Sequence, residues 1–296
     1  MAAFIPSSTD VTVQLRDGRR VGLAVIGPED GFPIIHCHGS GSSRLEVTLL
    51  AAQAEQAGVR LIALDRPGVG LSDPKPGYRL LDWPDDVAEV ADHLGIKRFA
   101  VEGFSAGGPY ALACAARLPQ RLTACGLIST ISPPDLMGKT GTVLSRIMWK
   151  ILPHIPYLLK HYARLVQRQV GFDVTSIARY LALYAVRLGE ADRQLLSHSE
   201  IREQLARVMA ESFRQGAQGN LEVVMIETQS WGFQVEQLAC EQVFLWHGEQ
   251  DRIAPAAAAR LLAQRLPHCR ATFYLNEGHF STLAHHCLEI FSLLRE

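Results

Sequence analysis

The 296-residue chain carries 29 basic and 30 acidic side chains, for a formal net charge of −1, and 20% of its residues are charged. That balance offers no basic surface for nucleic acid or anionic membranes and favours small-molecule chemistry. The length suits a single α/β domain with an insertion, large enough to bury a sizeable core.

Residues 1–10 hold no basic segment followed by an apolar stretch, and no membrane-length apolar run follows, so neither a signal peptide nor stable membrane insertion is expected. Cys37, Cys114, Cys125, Cys240, Cys269 and Cys287 form no Cys-x-x-Cys pair, and most sit among apolar residues. They read as free thiols in a reducing compartment, and a cytoplasmic location is the expectation.

In chain order, Val11 to Leu15 and Val21 to Ile26 flank Asp17-Gly18 and predict a hairpin. Pro33 to Cys37 predicts a short buried strand that runs into the glycine-rich loop His38-Gly39-Ser40-Gly41-Ser42-Ser43. Helix from Leu45 to Ala57 and strand from Arg60 to Asp65 follow, then helix from Asp82 to Leu94 and strand from Arg98 to Glu102. Strand and helix alternate in this way as far as the strand Leu122 to Ser129, which argues for a mostly parallel sheet. From Pro133 the pattern turns helical, with segments at Thr142–Leu152, Tyr157–Val170, Val174–Leu188, Glu190–Gln215 and Leu221–Ser230 separated by proline and glycine. Alternation resumes with strands at Gln242–His247 and Ala271–Leu275 and helices at Pro255–Leu266 and Ser281–Leu294. The expected layout is a sheet core in two parts, 1–132 and 240–296, with a helical cap inserted at 133–239.

Between the strand ending near Glu102 and a helix of small residues lies Gly103-Phe104-Ser105-Ala106-Gly107. A strand, a sharp turn and a helix in that order strain the serine and leave no room for bulky neighbours, so glycine is wanted on both sides. With Gly108-Pro109-Tyr110-Ala111-Leu112 after it, the stretch resembles the nucleophile elbow of the α/β-hydrolase family, in the branch that uses serine. The resemblance covers the whole chain and is weakest in the cap. It implies an α/β-hydrolase fold with an eight-stranded sheet, an acid after a later strand, a histidine near the end of the chain and an oxyanion loop before the serine.

On that resemblance Ser105 is the nucleophile, His279 in Asn276-Glu277-Gly278-His279 is the base, and Asp251 in Gly248-Glu249-Gln250-Asp251 is the acid, with Asp135 as the alternative acid. Read without the family, Asp251 only precedes a helix and His279 is a lone histidine. The oxyanion donors implied are the backbone N–H groups of Ala106 and Ser40. The hydroxyls of Ser40, Ser42 and Ser43 either add contacts or simply suit a tight turn. Gly103 and Gly107 are the elbow glycines. His36 and His38 lack further ligands at recognisable spacing, so no metal is expected, and no cofactor is called for. Asp65-Arg66-Pro67-Gly68 reads as a structural turn.

Glu102 stands out as a carboxylate at the end of a strand expected to be buried. It either pairs with an arginine or tunes the site. In the cap, Ile147-Met148-Trp149-Lys150-Ile151-Leu152, Pro153 and Tyr157-Leu158-Leu159 present a surface that packs on the core, lines an acyl pocket or touches a membrane, and Trp231 and Phe233 read similarly. The resemblance implies a serine hydrolase acting on a carboxylic ester or similar small, apolar acyl compound. Carbon–carbon bond hydrolysis, cofactor-free perhydrolysis and a non-catalytic ligand-binding role are the alternatives.

Overall fold

The computed structural model describes residues 8–151, 154–155 and 172–296. Its centre is an eight-stranded sheet built from β1 (Ser8–Gln14), β2 (Arg20–Ile26), β3 (Phe32–Cys37), β4 (Val59–Leu64), β5 (Phe99–Phe104), β6 (Leu122–Ile128), β7 (Val243–Gly248) and β8 (Cys269–Tyr274). The spatial order is β1-β2-β4-β3-β5-β6-β7-β8. β2 runs antiparallel to β1 and β4, and every pair from β4 through β8 is parallel. The β1–β2 hairpin turns at Gly18, whose φ of 87° suits a residue without a side chain.

Helices cover both faces. Against one pack α1 (Ala51–Ala57) and the long C-terminal α11 (His279–Arg295), whose Leu283, Cys287, Ile290, Phe291 and Leu294 recur at helical spacing and are buried with Ala54, Ile34 and Trp246. Each such large apolar side chain contributes about 1.5–3 kcal/mol relative to exposure. The opposite face carries α2 (Trp83–His93), α3 (Gly108–Arg117) and α10 (Ala256–Arg265), with Trp83 edge-on to Tyr110 at 5.6 Å. The central strands, covered on both sides, read as near-continuous apolar runs. All six cysteines are free, five of them buried.

The segment predicted as helix from Leu45 to Ala57 begins instead as a 3-10 stretch, Arg44–Leu50, before α1. Ser43 caps it by accepting the Leu45 N–H, and buried Arg44, Glu46 and Val47 fix its first turn to the core rather than to a regular helical stripe.

Between β6 and β7 lie α4 (Pro134–Met137), α5 (Val143–Ile151), α6 (Val174–Ala185), α7 (Glu190–Leu195), α8 (Ser199–Ser212) and α9 (Gln218–Thr228). The helix expected over Glu190–Gln215 is two helices. At the break Leu196 is buried with Ala185 and Leu188, and the Arg202 guanidinium donates to the carbonyls of Leu196 and Ser197, so tertiary contacts satisfy the groups that a continuous helix would have paired. The helix expected at Tyr157–Val170 lies outside the described residues. No helix among the described residues is long and apolar enough to cross a membrane.

Candidate active site

The carboxyl ends of β3, β5, β6 and β7 converge on one crevice, the place where open parallel sheets present their loops. β5 ends at Phe104, and Ser105 follows with φ of 54°, a left-handed conformation that costs a non-glycine residue of order 1–3 kcal/mol. Crowding enforces the turn. A Cβ on Gly103 would lie 2.3 Å from the Gly107 carbonyl oxygen, and one on Gly107 would lie 1.8 Å from that of Cys37. The Ser105 carbonyl accepts the Ile131 N–H at 3.1 Å, tying the turn to the segment after β6.

His279 is the first residue of α11 rather than part of a loop ahead of the helix. Its Nε2 lies 2.9 Å from Ser105 Oγ and its Nδ1 lies 2.7 Å from Asp251 Oδ2. Asp251 Oδ1 accepts the N–H groups of Ile253 and Ala254, each at 2.8 Å, so the carboxylate is fully engaged and its orientation fixed. All three residues are buried. Burial pulls the His279 pKa down, but the charge and hydrogen bond of Asp251 outweigh it and the net shift is upward. Beside them the His247 Nε2–H donates to the Ala254 carbonyl oxygen at 2.9 Å, and burial holds the His247 pKa below the usual histidine value.

Asp135 does not join this group. It lies on α4, about half exposed, with Oδ2 accepting from Arg265 at 2.8 Å. Asp251 therefore holds the position on the histidine.

Ser40 lies in the loop after β3, beside Gly41, which takes φ of 65°. The Ser40 N–H makes no hydrogen bond among the described residues. Neighbouring Gly39 approaches closely: a Cβ there would stand 3.6 Å from the Ser105 Cβ and 3.5 Å from the Phe104 ring. Of the nearby hydroxyls, Ser42 donates to Glu46 and Ser43 to the Val208 carbonyl on α8, so both serve the loop's structure.

Three buried charges were not read as part of the site. Asp192, on α7, accepts the backbone N–H groups of His279, Phe280 and Ser281 at 2.7, 2.9 and 2.9 Å, capping α11 from a helix 87 residues earlier in the chain. Arg66 is more than a turn residue: its guanidinium lies 4.0 Å over the Tyr110 ring and donates to the carbonyls of His38, Gly39 and Ala106. Glu46 accepts from Gly39 and Ser42. No local pattern marks Asp192 or Arg66, because each is far in sequence from what it holds, and Glu46 is close to Gly39 and Ser42 only through the turn of the loop. Glu102 corrects an expectation: its partner is His36 at 2.9 Å, not an arginine, since the parallel register sets those two residues side by side.

From the segment between β6 and β7, Trp149 packs against Ala106, Ile131 and Ala254, at the rim of the crevice, while Ile147 and Ile151 on the same helix are largely exposed. Trp231 and Phe233 pack into the core. Against Phe104, whose ring centroid is 5.1 Å from that of His279, lies a mainly apolar cavity of about 270 Å³ walled by residues such as Leu49, Leu205 and Leu283, with Glu46, Gln53 and His285 as polar points in its lining.

Known proteins resemble this chain over part or most of its length. A 2-hydroxymuconate semialdehyde hydrolase of Pseudomonas putida is 26% identical over 86% of this chain and 83% of its own. A putative non-heme haloperoxidase of mycobacteriophage D29 is 33% identical over 40% of this chain, and the chain spans only 42% of it; the match to the Bacillus subtilis hydrolase YcgS likewise spans 50% of that protein. Among solved structures, a thermophilic esterase from Thermogutta terrifontis superposes with a TM-score of 0.70 at 20% identity, covering 97% of both chains. A meta-cleavage product hydrolase from Pseudomonas fluorescens IP01 does so with a TM-score of 0.63 at 18% identity over 97% of this chain and 96% of that one. The family described as alpha/beta hydrolase fold matches residues 33–285. With the strand order, the serine turn after β5 and that match together, the chain belongs to the α/β-hydrolase fold family.

Proposed function

We propose that the protein is a serine hydrolase that cleaves a carboxylic ester, or a related small apolar acyl compound, through an acyl-enzyme on Ser105. The observation that carries this reading is the continuous line from Asp251 Oδ2 through both nitrogens of His279 to Ser105 Oγ, at 2.7 and 2.9 Å. A serine hydroxyl is a weak nucleophile at neutral pH and needs a base within reach. As Ser105 Oγ bonds to the substrate carbonyl carbon, its proton passes to His279 Nε2, and Asp251 stabilises the resulting imidazolium while holding the ring's tautomer. The carbonyl oxygen becomes an oxyanion that takes hydrogen bonds from the Ser40 and Ala106 N–H groups, each donor contributing about 3 kcal/mol to the barrier reduction. Collapse breaks the bond to the alcohol, which leaves with the proton from His279. Water then attacks the acyl-enzyme by the same route and frees Ser105.

The cavity behind Phe104 supports an apolar chain on the substrate, and the helices between β6 and β7 act as a cap that brings Trp149 to the crevice. The P. putida hydrolase supplies a second reading, hydrolysis of a carbon–carbon bond in a ring-cleavage dienoate, which the same three groups would serve.

A fluorophosphonate probe tests the chemistry. Wild type is expected to be labelled and Ser105→Ala not, and a folded wild type that stays unlabelled refutes the hydrolase reading in favour of a binding role. A panel of p-nitrophenyl esters beside a dienoate ring-cleavage product decides between the two reactions, and peroxide-dependent turnover would point to perhydrolysis. Turnover of the dienoate with inert esters would overturn the ester assignment.

A further inference from the structure

Three ionisable residues lie in a row beside the proposed site and touch none of the reacting atoms. His36, at the end of β3, is fully buried, with Nδ1 2.9 Å from Glu102 Oε1 and Nε2 2.8 Å from Glu46 Oε2. An ionised carboxylate only accepts, and a neutral imidazole has a single N–H, so satisfying both contacts takes a doubly protonated ring between two carboxylates. Burial on its own pulls His36 down, and the two glutamates reverse this and lift it to about 9, so the ring is a cation at neutral pH. Such a group is costly to assemble and more costly to break, because removing one partner strands a buried charge.

What this row holds is the loop that carries Ser40. Glu46 Oε2 also accepts the Gly39 N–H at 3.0 Å, and its Oε1 accepts the Ser42 hydroxyl at 2.7 Å, so Glu46 grips the chain on both sides of Ser40. On the other side Arg66 gathers the carbonyls of His38 and Gly39 together with that of Ala106, the residue proposed as the second oxyanion donor. An anion thus holds the loop by its donors and a cation by its acceptors, while the Ser40 N–H makes no hydrogen bond among the described residues. Glu102 joins the arrangement to β5 three residues before Ser105, so the loop and the nucleophile are referred to the same rigid strand.

We propose that Glu46 is a positioning residue that sets the Ser40 amide as an oxyanion donor, with His36 and Glu102 as its buried support. This rests on the acyl-transfer reading of Ser105. Glu46 acts on the donor through Gly39 and Ser42, while its side chain also forms part of the wall of the cavity beside Phe104, which is why the butyrate control is needed. Its loss would misplace a donor while leaving the Ser105–His279–Asp251 contacts in place, and would remove one of the lesser charges that raise the His279 pKa.

The test uses the full chain as wild type, Glu46→Ala, Glu46→Gln and Ser42→Ala. Each is assayed with p-nitrophenyl butyrate, with a trifluoromethyl ketone whose adduct on serine bears an oxyanion, and with butyrate as a product inhibitor. Glu46→Ala is expected to lower kcat/KM by roughly 10- to 100-fold, chiefly in kcat, since misplacing a catalytic group by about 1 Å costs on that order. Affinity for the ketone should weaken by a similar factor while that for butyrate holds within about twofold, because only the ketone develops the charge that the donor meets. Glu46→Gln, which keeps an oxygen acceptor, should recover part of the loss, and Ser42→Ala should show the same pattern in smaller degree. If Glu46→Ala does not fold, the other two variants carry the comparison. Ketone affinity unchanged in folded variants, or ketone and butyrate weakened alike, overturns the proposal. Wild type that forms no ketone adduct and takes no fluorophosphonate fails the underlying serine reading and the proposal with it.

Discussion

Removing the Asp192 carboxylate should both destabilise the protein and slow it. Asp192 is fully buried and its two oxygens serve three backbone N–H groups at the start of α11, of which the first belongs to His279. A hydrogen bond to a charged group contributes about 1.5–3 kcal/mol, and three sharing one carboxylate are not additive. A lost helix cap alone costs about 0.5–2 kcal/mol, and stranding buried N–H groups adds to it, so Asp192→Ala is expected to cost about 3–4 kcal/mol. Asp192→Asn separates stability from function. Its oxygen can keep the bonds to Phe280 and Ser281, but its amide would face the His279 N–H, donor against donor, at a cost of about 1.5–3 kcal/mol. That bond orients the ring whose Nε2 is 2.9 Å from Ser105 Oγ, so kcat/KM should fall roughly tenfold or more with little change in KM. Urea unfolding gives the first quantity and ester kinetics below the transition give the second. Asp192→Ala that unfolds at the wild-type urea concentration and keeps wild-type kcat/KM would refute the reasoning.

Asp251→Asn should lower kcat by about 10⁴-fold through loss of the correct tautomer, whereas Asp135→Asn, which breaks only exposed contacts to Arg265 and Lys139, should stay within about twofold; the reverse ranking in steady-state assays would move the acid to Asp135. Because His279 must be neutral to take the serine proton and its pKa is raised, kcat/KM should fall as pH drops through an apparent pKa above the usual histidine value of 6.5, and a limb below 6.5 in a pH–rate profile would contradict the burial and pairing of the ring. Glu227, buried on α9 against Arg66, is pushed up to about 8, chiefly by desolvation. A folded pKa above the unfolded value of 4.5 means stability that is full below 4.5 and lost as pH rises through about 8. Urea titrations at pH 5 and pH 8.5 should therefore show a loss in wild type that Glu227→Gln largely abolishes, and equal losses in both would show Glu227 to be ionised throughout.

Strand-forming and helix-forming runs, and the glycines around Ser105, were legible in the sequence because they depend on neighbours a few residues away. Gly103 and Gly107 are there because any side chain would strike the backbone of the same turn or of β3. The order of serine, acid and histidine was legible through a family resemblance rather than through spacing, and read without it Asp251 was only an aspartate before a helix. The start of α11 and the split near Leu196 are not legible in the sequence, because a carboxylate from α7 and a guanidinium from α8 supply the capping groups that local sequence lacks.

The sequence by itself determined the alternation of elements and the candidates for nucleophile, acid and base, since periodicity and turn chemistry are written along the chain. Only the tertiary structure decided which acid meets the histidine and what Glu102 faces. It also decided which buried charges, Asp192, Arg66 and Glu46, hold the site in place. The physical reason is that a buried charge takes its meaning from its partner, and here sheet register sets His36 beside Glu102 while a helix 87 residues away brings Asp192 to His279.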